Sequence, residues 1–263
     1  MVFRDLRRID WTVGISGSSD GILPKAKVGN KYYKLSSFDR YRCEFYGIES
    51  IIEVINSRVG KILDVPVLEY KPEKVLVKIE GRMYETIAAV SVDYCKGRQS
   101  ISLEKLYGKS STKDCIAFIQ RYGFSESVSK QFLYDFIICN LDRHGKNNDV
   151  LIKGGKCKLA PFFDNSLTYV TNRPLDEMRK KVTYNDNLQV NNFLGSRKLI
   201  DNLHLIGSLT PITVREPRKE DRRDLFKGLG NDTRREFRDY VWWLLGRRVS
   251  DVKKEGISFI MWK

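Results

Sequence analysis

Asn140-Leu-Asp-Arg-His-Gly-Lys-Asn147 is the most informative stretch of this 263-residue chain, because it sets a carboxylate and an amide five residues apart directly after a long apolar segment. That segment predicts a helix from Glu126 to about Leu141, with Ser125 as its N-cap. The inward-facing residues of this helix are predicted to be Val128, Phe132, Phe136 and Ile137. Taken alone, Asp142 and Asn147 suit either a polar turn that caps the helix or a site built on both side chains.

The residues after this stretch predict a β-hairpin followed by a second carboxylate. Val150–Ile152 and Cys157–Leu159 are strand-like pieces that flank the turn signal Gly154-Gly155. The segment Leu159-Ala-Pro-Phe-Phe-Asp-Asn165 comes next, so that Asp164 follows an apolar pair. Protein kinases carry their catalytic residues in the same order along the chain: an Asp, an Asn, a hairpin and a second Asp.

Phosphoryl transfer gives each of these side chains a role. A carboxylate accepts the proton of the attacking hydroxyl, while an amide oxygen and a second carboxylate hold magnesium against the phosphates. Asp142, Asn147 and Asp164 are therefore the candidate catalytic residues, and Asn147 and Asp164 are the candidate metal ligands. We prefer this interpretation to helix capping, because the whole succession is hard to assemble by accident.

A Gly/Ser-rich loop near the N-terminus predicts a cover for nucleotide phosphates. Ser16–Lys27 links a predicted strand at Trp11–Ile15 to strand-like residues at Ala26–Leu35, which contain a turn at Gly29-Asn30. Backbone N–H groups of a Gly-rich turn can approach phosphate oxygens. The candidate nucleotide contacts are Ser16, Gly17 and Ser18. The loop lacks G-x-G-x-x-G, and an ordinary hairpin turn is the alternative.

Lys34 lies in the strand after this loop, from which an ammonium can reach the α- and β-phosphates of ATP. Such a lysine needs an acidic partner on the next helix, and apolar residues at 45, 48, 52, 55, 59 and 62 predict that helix over Phe45–Ile62. On its helical wheel Glu49 borders the apolar stripe, whereas Glu53 points further into solvent. We therefore favour Glu49 as the partner of Lys34, with Glu53 as the alternative partner. An ordinary exposed strand lysine is the alternative interpretation of Lys34.

The order of elements predicts an α+β fold. Strands are expected at Val65–Leu68 and Val75–Ile79, with Pro72 in the turn between them, and mostly helical patterns follow residue 90. The clearest later helix is predicted from about Thr233 to Val252. The expected division is a β-rich unit with one helix over residues 1–88 and a larger, mainly helical unit over 89–263.

The chain resembles the HipA-like kinases, and within them the compact CtkA-type branch. The shared features lie between about Ile15 and Tyr169. They are the loop ending in Pro24-Lys25, the strand Tyr32-Tyr-Lys-Leu35, the helix start Gly47-Ile-Glu-Ser-Ile-Ile-Glu53, Leu141-Asp-Arg-His-Gly-Lys-Asn147 and Ala160-Pro-Phe-Phe-Asp-Asn165.

This resemblance implies a two-lobed protein-kinase-like fold and a Ser/Thr protein kinase that uses ATP and Mg²⁺. It implies Asp142 as the base, Asn147 and Asp164 as metal ligands and Lys34 on the phosphates. Many members are toxins of toxin–antitoxin pairs, so it also implies a protein substrate, in some members an aminoacyl-tRNA synthetase, and an antitoxin as partners. Autophosphorylation in the phosphate-covering loop, for which we favour Ser16, would switch such a kinase off.

The sequence departs from related patterns at three points. It has Asp-Arg-His where eukaryotic kinases have His-Arg-Asp, so His144 does not inherit the role of that histidine. Asn165-Ser166 follows Asp164 where eukaryotic kinases have Phe-Gly, which puts a switch of that type in doubt. The resemblance to the longer HipA proteins does not extend to their extra N-terminal domain, so an antitoxin-contact role of that domain is not expected here.

The composition favours a folded protein that is located in a reducing compartment. Apolar residues make up 41% and charged residues 30% of the chain, and no uncharged apolar run approaches the ~20 residues that span a bilayer. The five cysteines are odd in number and form no C-x-x-C pair, so a zinc site is not expected and the cytoplasm is the expected location. Cys139 lies in an apolar run and is predicted to be a buried thiol.

Two other classes of function compete with an active kinase. A net charge of +14 attracts nucleic acid, but the basic segment Arg215–Arg223 lacks the interleaved aromatics of a nucleic-acid-binding surface. A catalytically silent pseudokinase is the other alternative. The joint presence of Lys34, Asp142, Asn147 and Asp164 argues against it.

Overall fold

A computed structural model describes residues 3–11, 23–108, 112–168, 188–229, 233–257 and 259–260. Strands dominate the first part of the described chain and helices the second, which confirms the predicted α+β class. Within the described ranges no helix has the length and apolar character that crossing a bilayer requires.

The first part is built on a five-stranded sheet. Its strands are β1 (Arg4–Leu6), β2 (Lys25–Val28), β3 (Lys31–Lys34), β6 (Lys71–Ile79) and β7 (Arg82–Val92), in the spatial order β1-β6-β7-β3-β2. The pairings are antiparallel except that of β1 with β6. A short hairpin, β4 (Phe38–Asp39) with β5 (Glu44–Phe45), lies between β3 and the first helix. The turn predicted at Gly29-Asn30 is confirmed, and Gly29 has a φ of 61° that favours glycine.

Successive residues of β7 face opposite sides of the sheet, as the strand period of two requires. Ile87 and Ala89 join the core beneath the sheet, whereas Ala88 and Val90 pack with Tyr33 in a separate cluster on the other side. Both sides of the sheet centre are therefore covered, which fixes the register of β3 against β7.

Helix α1 spans Glu49–Ile62 and packs against the sheet on one side and the helical part of the chain on the other. Because it is enclosed between them, twelve of its fourteen residues are buried. The predicted start at Phe45 is wrong: Phe45 belongs to β5 and contacts the rings of Phe38 and Tyr84.

The helical part is organised around α4, which spans Ser125–Ile138. The four residues predicted to face inward are buried. Ser125 is not the N-cap but the first helical residue, and Phe124 precedes it without a side-chain cap. The helix stops at Ile138 rather than near Leu141, because the buried Cys139 turns into the left-handed region with a φ of 53°. Cys139 is the buried thiol that the sequence predicted.

The remaining elements surround α4. The helices are α2 (Leu103–Tyr107), α3 (Thr112–Arg121), α5 (Leu199–Leu209), α6 (Asp221–Leu225) and α7 (Arg235–Lys254). The strands are β8 (Gln99–Ser102), β9 (Asp142–Arg143), β10 (Asp149–Lys153), β11 (Lys156–Leu159), β12 (Asn191–Asn192), β13 (Val214–Arg215) and β14 (Phe259–Ile260). The predicted hairpin is confirmed as β10–β11, and the late helix as α7.

Other sequence predictions need correction. Val65–Leu68 is not a strand and makes only an isolated bridge from Val67 to Phe162. Pro72 lies inside β6 rather than in a turn. The expected division after residue 88 stays a prediction, and residue 88 lies within β7, which continues to Val92. The predicted strand at Trp11–Ile15 falls almost wholly outside the described residues, and Trp11 itself is not in a strand.

Candidate active site

A lysine and two acids meet at the junction of the sheet, α1 and the segment after β11. The Lys34 ammonium lies 2.8 Å from Oε1 of Glu53 and 2.8 Å from Oδ1 of Asp164. The Glu53 side chain is wholly buried, whereas 38% of the Asp164 side chain is exposed. One acid therefore anchors the ammonium from inside, and the other faces the open side of the site.

The predicted pairing of Lys34 with Glu49 is wrong. The Glu49 carboxylate is buried and accepts hydrogen bonds from the Ser37 backbone N–H at 3.0 Å and the Ser37 hydroxyl at 2.7 Å. Glu53 takes the place next to Lys34 because α1 has no broad solvent face. The side of α1 opposite its apolar stripe looks into the site instead of into water.

Electrostatics favour a protonated Lys34 next to an ionised Asp164. Burial opposes the charge of Lys34, but Asp164 and Glu53 raise the pKa of its ammonium well above the usual value. Burial likewise works against the Asp164 charge, yet Lys34 and Arg143 hold the pKa of that carboxyl below its usual value. Burial raises the pKa of Glu53, against the lowering effect of Lys34. Lys34 is therefore protonated and Asp164 ionised at neutral pH.

The backbone at Asp164 is fixed by its neighbour. Asp164 has a φ of 56°, a left-handed conformation that aspartate tolerates better than most residues. The Asn165 N–H donates to Oε2 of Glu53 at 3.0 Å, and the Asn165 carbonyl accepts from the Asn56 side chain at 2.6 Å. Helix α1 thus holds both Lys34 and the chain that carries Asp164.

A buried ion pair supports the loop that carries Asp142. Arg143 donates to both carboxylate oxygens of Asp135, at 3.0 and 2.7 Å, and both side chains are almost completely buried. The same guanidinium donates to the Phe163 carbonyl at 2.9 Å and to Oδ1 of Asn165 at 2.5 Å. The hydrogen bond from Arg143 to Asn165 therefore brings Asp142 and Asp164 together, because Arg143 follows Asp142 and Asn165 follows Asp164 in the sequence.

Asp142 and Asn147 are linked by a hydrogen bond across the loop that they share. The Asn147 side chain is buried and its Nδ2 donates to the Asp142 carbonyl at 3.0 Å, so Oδ1 is the atom of this amide that could bind a metal. The Asp142 carboxylate remains partly exposed. Its Oδ1 accepts from the Asn191 side chain at 2.8 Å, and Nε2 of His144 lies 3.7 Å from its Oδ2, too far for a hydrogen bond.

Asn147 and Asp164 offer a hard amide oxygen and a hard carboxylate oxygen, a donor set that suits Mg²⁺ completed by phosphates and water. Among the described residues there is no cluster of three or more His, Cys, Asp or Glu side chains that could hold a metal without such help. The predicted phosphate-contacting residues Ser16, Gly17 and Ser18 lie outside the described residues.

Sequence reasoning missed Asp135, Arg143 and Asn191. The sequence could have indicated Arg143 and Asp135. They are two charged residues in or beside an apolar helical run, where a charge is buried only when it is paired. Asn191 carried none, because it lies 49 residues from Asp142 along the chain.

The fold is that of a protein kinase. Over 97% of this chain and 98% of the other, the structure matches that of the Helicobacter pylori proinflammatory kinase CtkA, with a TM-score of 0.61 and 14% identity. This match shows the kinase-like fold and agrees with the resemblance to HipA-like kinases in the sequence.

A second match is to a Shewanella oneidensis MR-1 toxin–antitoxin complex of HipA, HipB and operator DNA. The match has a TM-score of 0.41 and 16% identity, and it covers 90% of this chain and 57% of that chain. No family model matches the sequence, and no curated protein matches it.

Proposed function

We propose that the protein is an ATP- and Mg²⁺-dependent Ser/Thr protein kinase. The observation that carries the proposal is the Lys34 ammonium held between Glu53 and Asp164, together with a third acid, Asp142, whose backbone carbonyl orients Asn147. A structural ion pair needs one acid; the further, partly exposed acids suit phosphoryl transfer, which depends on positioning and electrostatic stabilisation.

Each side chain has a distinct task in this proposal. Lys34 donates to phosphate oxygens of ATP while Glu53 keeps its ammonium in place. Asn147 and Asp164 would hold magnesium, which would neutralise charge on the phosphates. Asp142 accepts the proton of the substrate hydroxyl as that oxygen bonds to the γ-phosphorus and the bond to the β–γ bridging oxygen breaks, which leaves ADP and a phosphorylated side chain.

The resemblance to HipA-like kinases extends this proposal to regulation and partners. It supports a toxin-type kinase in the cytoplasm, with a protein substrate of the translation machinery and an antitoxin partner. It also supports autophosphorylation in the loop at Ser16 or Ser18. Mass spectrometry of the protein and of an Asp142→Asn variant tests this: loop phosphate only in the active protein supports autophosphorylation, and phosphate in both points to another kinase.

The activity itself is tested with the purified protein, γ-labelled ATP, Mg²⁺ and a cell extract. We expect label on serine or threonine, dependent on Mg²⁺ and reduced at least about 10²-fold by Asp142→Asn. Nucleotide binding without any transfer would identify a pseudokinase, and nucleic-acid binding without nucleotide binding would overturn the proposal altogether.

A further inference from the structure

Strand β12 brings a distant part of the chain against the loop of Asp142. Asn191 and Asn192 pair in parallel with Asp142 and Arg143. The Asn191 N–H donates to the Leu141 carbonyl at 2.8 Å. These backbone bonds set Asn191 directly beside Asp142, so the approach of the two side chains is a consequence of the pairing.

The Asn191 side chain occupies one oxygen of the Asp142 carboxylate. Its Nδ2 donates to Oδ1 at 2.8 Å, and its own surface is exposed rather than buried. The other oxygen, Oδ2, is 3.7 Å from Nε2 of His144, which is too far for a hydrogen bond. The His144 ring is itself engaged through Nδ1, which accepts from the Lys146 N–H at 3.2 Å.

The residues after Asn191 hold it in place. The Asn192 carboxamide oxygen accepts from the N–H groups of Leu194 and Gly195, at 3.1 and 3.0 Å, which closes a tight turn. A Cβ at Gly195 would collide with the carboxamide of Asn202, so only glycine fits there. These contacts fix the backbone that follows Asn191, as positioning of a reactive group requires.

We propose that Asn191 is a positioning residue for Asp142. By fixing Oδ1 it sets the rotation of the carboxylate, so that Oδ2 is the oxygen that accepts the proton of the substrate hydroxyl. This inference rests on the proposed kinase function. Asn191 touches neither nucleotide nor metal in this scheme, and acts only through the base.

The test compares Asn191→Ala and Asn191→Asp, the second of which keeps the size of the side chain but removes the donor. We expect kcat to fall roughly 10- to 100-fold, the factor for a hydrogen bond to a charged group, with the KM for ATP changed by less than about 2-fold. Asn191→Gln keeps an amide donor and should recover part of kcat.

A double-mutant cycle separates positioning from folding. In an Asp142→Asn background, Asn191→Ala should change the residual turnover by less than about 2-fold, because its target carboxylate is gone. Asn192→Ala is the structural comparator: it removes a turn and should lower the melting temperature in either background.

Three results would overturn the inference. They are an unchanged kcat in Asn191→Ala, a loss that persists fully in the Asp142→Asn background, and a loss that appears only as a lower melting temperature. An inactive wild-type protein would instead refute the kinase function on which the inference rests, so the two failures are distinguishable.

Discussion

Glu53 and Lys34 form the innermost contact of the candidate site, an ion pair of 2.8 Å in which the carboxylate is completely buried. The second oxygen of Glu53 accepts from the Asn165 N–H. A single carboxylate on α1 thus fixes both the strand lysine and the backbone next to Asp164. Any movement of α1 would therefore displace both groups.

Glu53→Gln should damage nucleotide use far more than Glu49→Gln. Loss of a charged partner for Lys34 should lower kcat/KM for ATP by roughly 10-fold or more, the scale of a hydrogen bond to a charged group. Glu49 bonds to Ser37 and not to Lys34, so its variant should stay within about 2-fold once folded protein is compared. Steady-state kinetics of both variants measure kcat/KM for ATP. A larger loss in Glu49→Gln than in Glu53→Gln would contradict the assignment of Glu53 as the partner of Lys34.

Asp164→Ala should weaken ATP binding in the presence of Mg²⁺ more than in its absence. The carboxylate is a proposed metal ligand, but without metal it competes with phosphate for the Lys34 ammonium. Metal-free nucleotide should therefore bind the variant as well as, or better than, the wild type. Calorimetric titrations with and without Mg²⁺ measure this, and equal losses under both conditions would mean that Asp164 is structural.

Arg143→Met should destabilise the fold by about 3–5 kcal/mol, because it leaves the Asp135 carboxylate buried without its cation. The double variant Arg143→Met with Asp135→Leu removes both charges and should regain a large part of that free energy of unfolding. Urea denaturation of the two variants measures the difference. A double variant no more stable than the single one would show that the contacts of Arg143 to Phe163 and Asn165 outweigh its ion pair.

The charge of Asp164 predicts a dependence of stability on pH. Its pKa is lowered in the folded protein, so its contribution is present above the unfolded pKa of about 3.9 and is lost as pH falls through the folded value. The difference in unfolding free energy between wild type and Asp164→Asn should therefore shrink as pH falls from about 5 towards 3. Denaturation series at several pH values check this; a difference that grows on acidification would contradict it.

The candidate site was predictable where its signal was local in the sequence. Asp142, Asn147 and Asp164 could be proposed because helix, loop and hairpin follow one another along the chain. Arg143, next to Asp142, donates hydrogen bonds to the Asn147 carbonyl and to the Asn165 side chain. The choice between Glu49 and Glu53 failed because a helical wheel assumes one solvent face, whereas α1 is enclosed between the sheet and the helical part. Asn191 was beyond prediction, because only the pairing of β12 with β9 makes it a neighbour of Asp142.

The fold, like the candidate site, was predictable where its signal was local in the sequence. The turn at Gly29-Asn30 and the hairpin at Gly154-Gly155 were predicted correctly, because glycine has a local conformational reason to be there. The start of α1 was misplaced because the apolar period continues through Phe45, which packs in the sheet cluster rather than on the helix. An apolar pattern reports that a residue is buried, but not which core buries it.

Phosphate transfer by Asp142→Asn, measured beside the wild type, tests the proposed kinase activity most directly. With saturating ATP and Mg²⁺, the variant should transfer label at least about 10²-fold more slowly, the range for loss of a general base, while it binds ATP with nearly unchanged affinity. That result would place Asp142 in catalysis rather than in nucleotide binding. Full transfer activity in a purified, correctly folded Asp142→Asn protein would contradict the site and the mechanism built on it.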